Sequence, residues 1–288
     1  MAKFEINSQN IPPDLEPDKN ITLWRYMSFA SLCEVLMNDY IPLISIDKFS
    51  DKSEGIILRE HISKQPNSYE DAIEYAIKTY YKSTYVSSWH ESKNENASMW
   101  DRYTKGEEGV AIKTNAKLLH DSINMVKSNR IDTCELFKKL MAENEYLIPQ
   151  LIIKRIKYID SIPSDFQIDK QSLRQRYDLL SFFYKMDDYK DESEIRILKS
   201  ESPSAYSYIN LSSNQLMHFE KKERINYTET LQLKIESASI LIQKIVVSPY
   251  AHSQFIDTVK QTIRRINFCR NSPIDPNIVI ESRRKGWV

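Results

Sequence analysis

ESEIRILK, residues 192–199, decides the architecture. Read as a strand, its side chains alternate between two faces. Ile195 and Ile197 then point to a core. Glu192, Glu194 and Arg196 point the other way together. Two carboxylates two residues apart can act side by side on a hydroxyl and on a developing cation. The plainer alternative is an exposed charged face, with Glu194 and Arg196 paired to neighbours.

Working outward, YVSSWHES (85–92) has the same period of two. Tyr85, Ser87 and Trp89 share one face, and Val86, Ser88 and His90 the other. A serine facing a cleft can donate to a ligand hydroxyl or phosphate, and Trp89 can stack on a flat ring. The alternative is that Trp89 is core and the serines bond to neighbouring strands. LWRY (23–26) is a third such segment, rich in β-branched and aromatic neighbours. Leu23 and Arg25 share one face, Trp24 and Tyr26 the other. An arginine in an apolar strand needs a partner, and its planar fork suits a carboxylate or a phosphate. A structural ion pair would satisfy it equally.

Around these segments the pattern mixes strands and helices. Ser28 caps a helix over SFASLCEVLMND, with Phe29, Leu32, Val35 and Leu36 at helical spacing. YIPLISI reads as extended, and DKFSDKSEG as a loop ended by Gly55. SYEDAIEYAIKTYYK reads as a helix with Ile73, Ala76, Ile77 and Tyr80 on one face. ASMWDRY is one or two helical turns, which puts Trp100 and Tyr103 on one face, beside the serine block and walling its pocket. The alternative for both is a core position. GVAIKT is a strand whose Gly109 marks a turn or a close approach. Helices are expected over 115–145 and over DKQSLRQRYDLLSFFYKM. LIIKRIKYI, LQLKI, LIQKIVVS and NIVIESR read as strands, and AHSQFIDTVKQTIRRI as a helix. No strict βαβ rhythm emerges. The expected class is α+β: a mixed, mainly antiparallel sheet with flanking helices. Residues 1–20, polar and carrying Pro12, Pro13 and Pro17, read as a loosely held lead-in. Residues 21–288 read as one domain.

Composition excludes several classes. The chain has 288 residues and only four glycines, with no GxGxxG and no GxxxxGK[ST]. That argues against P-loop and dinucleotide-fold enzymes. Forty basic and forty acidic residues give zero net charge, so no global field draws the chain to nucleic acid. A local basic patch near RRINFCR and RRKGW leaves nucleic acid open as a partner. Cys33, Cys134 and Cys269 show no CxxC pairing, and His61, His90, His120, His218 and His252 are scattered. No metal is therefore expected. No signal-like or membrane-length apolar run occurs, so a cytoplasmic protein with no membrane partner is expected.

Taken in order, LWRYMS, FSDKSEG, YVSSWHES, SMWDRY, GVAIKT, ESEIRIL and IVVSPYA resemble the signature blocks of a bacterial family, domain of unknown function 2971. The resemblance runs from about Leu23 to the last strand and carries no settled activity with it. A more distant resemblance does. An arginine on an early strand, a serine at a later strand's end and then an E-x-E strand resemble the Arg-Ser-Glu order of ADP-ribosyltransferases. This chain departs from that order in its long Arg25–Ser87 spacing and in reading SSW rather than STS.

That second resemblance implies an ADP-ribosyltransferase-like sheet and NAD as the consumed substrate. Arg25 would hold the NAD ribose or phosphates, and Ser87 or Ser88 would shape the nicotinamide-ribose pocket. Glu194 would be the catalytic glutamate, and Glu192 would position the acceptor. Tyr26, Trp89, Trp100 and Tyr103 would complete the NAD-binding set. The function implied is transfer of ADP-ribose to a macromolecule, or NAD hydrolysis, in a toxin or anti-phage effector. Two other readings stand beside it. One is a non-catalytic module binding a nucleotide or partner through Trp89, Trp100 and Tyr103. The other is a metal-independent nuclease.

Overall fold

A computed structural model describes residues 5–6, 16–51, 53–63, 77–104, 108–127, 151–162, 167–168, 177–201 and 228–285. Its strands are β1 (Glu5–Ile6), β2 (Thr22–Ser28), β3 (Tyr40–Ser45), β4 (Thr84–Glu91), β5 (Gly109–Asn115), β6 (Leu151–Arg155) and β7 (Lys157–Ile159). They continue with β8 (Gln167–Ile168), β9 (Tyr184–Met186), β10 (Glu194–Ser200), β11 (Thr230–Lys234), β12 (Lys244–Val247) and β13 (Val279–Glu281). The helices are α1 (Phe29–Asn38), α2 (Ile56–Ser63), α3 (Ala97–Thr104), α4 (Ala116–Lys127), α5 (Ala238–Leu241) and α6 (Phe255–Asn267).

Among the described residues nine strands form one sheet. Its ladders are antiparallel except for β12–β13, which is parallel. The α+β expectation with a mainly antiparallel sheet therefore holds. The strand expected over ESEIRILK begins only at Glu194, because Glu192 closes a 3₁₀ turn and Ser193 is left-handed; β2, β4 and β10 are consecutive neighbours in the sheet.

The sheet forks at β4. One long edge of β4 pairs with β10 along its whole length. The other edge pairs with β3 at Tyr85 and Val86, then with β2 at His90 and Glu91. Residues 87–89 of that edge ladder to neither strand. β2 and β3 diverge there, and Arg25 stands in the gap.

Period-2 alternation builds a core on each face. Leu23, Met27, Tyr85, Trp89, Ile112, Ile195 and Ile197 bury against α1, α4, α5 and α6. On the other face Val86 and Leu198 bury with Ile57, Leu58, Phe182 and Phe183, while Trp24, Tyr26 and Ala111 bury with Met99 and Trp100 of α3. Ser28 caps α1 by accepting from Ser31 N, and the helix buries Leu32, Val35 and Leu36 as its spacing demands.

Other expectations are corrected or lie outside the described residues. The helix expected to end at Met186 is a 3₁₀ segment, Tyr177–Phe183, followed by β9. Leu179, Leu180, Phe182 and Phe183 are all buried, so this segment has no polar face for a surface helix to show. The strand expected over LIQKIVVS begins only at Lys244, because Ser237 caps the short α5 just before it. The helix expected around Ile73 and Ala76 is described only over 77–82. The helical stretches expected over 128–145 and 169–176 lie outside the described residues. Within the expected loose lead-in, Glu5–Ile6 pairs in parallel with Gln167–Ile168. No helix of the described residues is long and apolar enough to cross a membrane.

Candidate functional site

β10 starts at Glu194, just after a 3₁₀ turn that ends at Glu192. Ser193 joins them in the left-handed region, φ 40°. This kink keeps Glu192 beside Glu194 although only Glu194 is in the strand. The charged face is not exposed. Arg196 is 0% exposed, Glu54 1% and Glu194 3%. The alternative of a solvated charged face is thus excluded.

Arg196 is held from two sides. Its Nε and Nη2 donate to Glu194 Oε1 and Oε2 at 2.7 and 3.0 Å. Its Nη1 and Nη2 donate to Glu54 Oε2 and Oε1 at 2.8 and 3.0 Å, and Nη1 also donates to Phe182 O at 2.7 Å. Two bidentate forks satisfy a guanidinium that is fully shielded from solvent. The Arg196 charge is reinforced: burial opposes it, but Glu194 and Glu54 outweigh burial. Burial likewise pushes the Glu54 carboxyl up, and Arg196 and Lys185 outweigh it and hold the carboxyl below its ordinary range.

Lys185, on β9, lies next in line. Its Nζ is 2.9 Å from Glu192 Oε2, 3.3 Å from Glu54 Oε1, 3.8 Å from Asp51 Oδ2 and 3.9 Å from Glu194 Oε2. Glu192 Oε1 in turn accepts from Arg102 Nη1 at 2.7 Å and from the Tyr103 hydroxyl at 3.4 Å. Arg102 also reaches Asp191 at 3.1 Å. The network thus climbs from a sealed base at Arg196 to a rim where Tyr103 is 46% exposed. Partial burial, with Glu192 and Glu194 nearby, pushes the Tyr103 phenol up to about 12. It therefore stays a neutral donor at neutral pH.

Backbone contacts fix the two glutamates. Glu194 N donates to the Tyr158 hydroxyl at 3.0 Å. His90 Nδ1 lies 2.6 Å from Glu192 O, which requires the proton on Nδ1. Its Nε2 then accepts from Asn96 Nδ2 at 3.3 Å. Asn96 Oδ1 meanwhile accepts from Ser98 N and Oγ at the start of α3. His90 so links the Glu192 turn to the helix carrying Arg102 and Tyr103.

The two serines part company. Ser88 Oγ donates to Glu194 Oε1 at 2.6 Å. Ser87 lies on the opposite face and accepts a short hydrogen bond from Arg25 Nη1. Arg25 Nη2 donates to Pro42 O at 2.9 Å, and the guanidinium lies 5.7 Å from the Trp89 ring centroid. Among the described residues Arg25 pairs with no carboxylate. Burial alone lowers its pKa to about 10. The structural ion pair weighed for Arg25 is not what the structure provides. Trp89 is 1% exposed, and among the described residues its indole N–H has no hydrogen-bond partner.

The expected residues therefore form two groups. Arg25, Ser87 and Trp89 lie on one face of the sheet, and Ser88, Glu192, Glu194 and Tyr103 on the other. Trp100 and Tyr26 are core: Trp100 is fully buried, stands edge-on to Tyr26 at 4.8 Å and donates to Glu95 Oε2 at 3.3 Å. Tyr26 is 7% exposed, and its hydroxyl accepts from Asn96 N. Of the pair expected to wall the pocket, only Tyr103 reaches the charged network. Glu54, Lys185, Arg102, Tyr158 and His90 were not among the expected site residues. Glu54 had a signal, since it ends the FSDKSEG block just before Gly55. Lys185 had a weaker one, a lone cation in SFFYKM. Among the described residues no three His, Cys, Asp or Glu side chains gather as a metal site.

Residues 99–197 match the model of a family described as a protein of unknown function, DUF2971. No curated protein and no solved structure matches the chain significantly.

Proposed function

We propose that the chain is an NAD-consuming enzyme of the ADP-ribosyltransferase kind, passing ADP-ribose to a macromolecule or to water. The stretch that matches the DUF2971 model, residues 99–197, holds Arg102, Tyr103, Tyr158, Lys185, Glu192, Glu194 and Arg196. One observation carries this reading. Arg25, the serine pair and Glu194 sit on three neighbouring strands and are joined in that order, Arg25 to Ser87 and Ser88 to Glu194. The serine pair bridges the two faces at the fork in the sheet, so the Arg25 group and the Glu194 group are linked through one strand.

The chemistry is coherent with that arrangement. Arg25 brings a desolvated cation without a carboxylate, which suits a pyrophosphate. The idle Trp89 indole N–H is a second donor beside it. On the other face the carboxylates outnumber the cations. Among the described residues Asp51, Glu54, Glu192 and Glu194 pair with Lys185, Arg196 and Arg102 alone. A residual negative charge in a partly dry site stabilises positive charge that grows as the nicotinamide–ribose bond breaks. Glu192 is the carboxylate nearer the rim and is assigned that role here. Glu194 is locked onto Arg196 and Ser88 and serves as its foundation.

The alternative of a non-catalytic nucleotide-binding module has one observation in its favour: both oxygens of Glu192 and of Glu194 already have partners. Incubation with NAD separates the two readings. Enzyme activity predicts release of free nicotinamide, lost by about a hundredfold or more in Glu192→Gln. Binding of NAD by calorimetry without nicotinamide release would favour the module. Neither binding nor release would overturn both.

A further inference from the structure

Lys185 is the one described cation that touches both Glu192 and Glu194, and the sheet does not supply it. β9 pairs in parallel with β7, with Lys185 opposite Tyr158. This two-stranded ribbon lies across the start of β10. Tyr158 fixes the Glu194 backbone, and Lys185 meets the carboxylates. The Tyr189 ring, 4.4 Å from Nζ, covers the ammonium. The side chain is 6% exposed, so its charge is committed to this cluster.

The two glutamates depend on Lys185 unequally. Glu194 keeps Arg196 and Ser88 whatever happens at Lys185. Glu192 Oε2 has Lys185 as its near partner, and Oε1 has Arg102 and Tyr103. Arg102 is 40% exposed at its side chain. A carboxylate held only by such a residue follows it into solvent. Lys185 is what draws Glu192 inward.

We propose that Lys185 is a positioning residue that pins Glu192 beside Glu194 at the inner end of the site. Its bearing on catalysis rests on the NAD-consuming reading, but its effect on Glu192 does not. Without Lys185 the four carboxylates around it keep, among the described residues, only Arg196 and Arg102. Glu192 and Asp51, neither of them bound to Arg196, are then the two free to relieve the excess charge by turning outward.

The test is selective labelling of carboxylates with a water-soluble carbodiimide and an amine, read peptide by peptide by mass spectrometry. In the wild type, Glu54, Glu192 and Glu194 should all resist. In Lys185→Met, labelling of Glu192 should rise by about tenfold or more while Glu54 and Glu194 stay protected by Arg196. Joint labelling of all three would mean that the lysine merely holds the fold, and no rise at Glu192 would mean that it holds nothing there. Either result overturns the proposal. If Lys185→Met does not fold, Lys185→Gln, a shorter neutral donor, carries the same readout. Where wild type cleaves NAD, Lys185→Met should lower kcat by about thirtyfold with KM changed less than about threefold. The same change should add no further loss in a Glu192→Gln background. If the wild type cleaves no NAD, the labelling result still decides the role of Lys185.

Discussion

At the scale of single residues, Arg25 on β2 and Arg196 on β10, the strands that flank β4, make opposite predictions. Arg196 is sealed with two carboxylates, and removing one leaves a buried cation half-compensated. Glu194→Gln should therefore cost about 3–5 kcal/mol, read from the urea midpoint, and not act as a silent catalytic probe. Removing Arg196 as well should recover part of that loss, which a double-mutant cycle measures. Arg25 has no carboxylate to abandon. Arg25→Met should leave the midpoint unchanged within about 1 kcal/mol or raise it, since an apolar side chain of similar length replaces an uncompensated charge. It should at the same time abolish NAD binding; a large loss of stability would show that Arg25 is a strut. The faces of Arg25, Ser87, Ser88, Glu194 and Arg196 were legible in the sequence, because alternation along a strand is strict. Their partners were not. Glu54 and Arg196 are 142 residues apart in the chain, and nothing local records that they meet.

At the scale of elements, the close fits are made by glycines at two joints. Gly55 has φ +64°, and a Cβ there would lie 2.4 Å from Phe182 Cε1. It follows Glu54 directly, so the turn that needs glycine also aims the carboxylate at Arg196. Gly55→Ala should cost about 2 kcal/mol or more, from left-handed strain plus the clash with a buried ring. The thermal midpoint checks it. Gly109 begins β5, and a Cβ there would lie 2.4 Å from Thr104 Cβ at the end of α3. The close approach expected of Gly109 is thus contact with the helix that carries Arg102 and Tyr103. Elements with a clean period were readable: β2, β4 and α1 lie within two residues of where their spacing puts them, while β10 starts two residues and α6 four residues later than read. The stretch before β10 was not. Its aromatic run is buried all round, and such a run has no period to betray whether it coils or extends.

At the scale of the whole molecule, the buried network sets the pH range of stability. The Glu54 carboxyl sits below its ordinary 4.5 in the fold. Its contribution is full above that value and is lost as pH falls through the folded value. Lys185 is shifted the other way: burial opposes its charge, but Glu54 and Glu194 outweigh burial and hold it above its ordinary 10.5. Its contribution is full below 10.5 and is lost as pH rises through the higher folded value. As far as these two groups decide it, the urea midpoint should be flat between about pH 5 and 10 and should fall on acidification below about 4.5. A midpoint already falling between pH 7 and 5 would mean that Glu54 is not held by Arg196. The α+β class and the place of the three key strands in one mainly antiparallel sheet follow from pattern. The fork does not, because it arises where β4 exchanges β3 for β2, and pairing partners are a global outcome.

The idle indole at that fork gives the protein an optical reporter of its own. Trp24 Nε1 donates to Ser92 O at 2.8 Å and Trp100 Nε1 to Glu95, both on the far face; Trp287 lies outside the described residues. Trp89 alone of the three described tryptophans has an unengaged N–H, and it has a guanidinium beside its ring. An indole in that state emits toward the blue, and a new acceptor on its nitrogen moves the emission toward the red. Filling the fork should therefore change the colour of one tryptophan and leave Trp24 and Trp100 dark to the event, so that occupancy can be followed in a cuvette before any product is known.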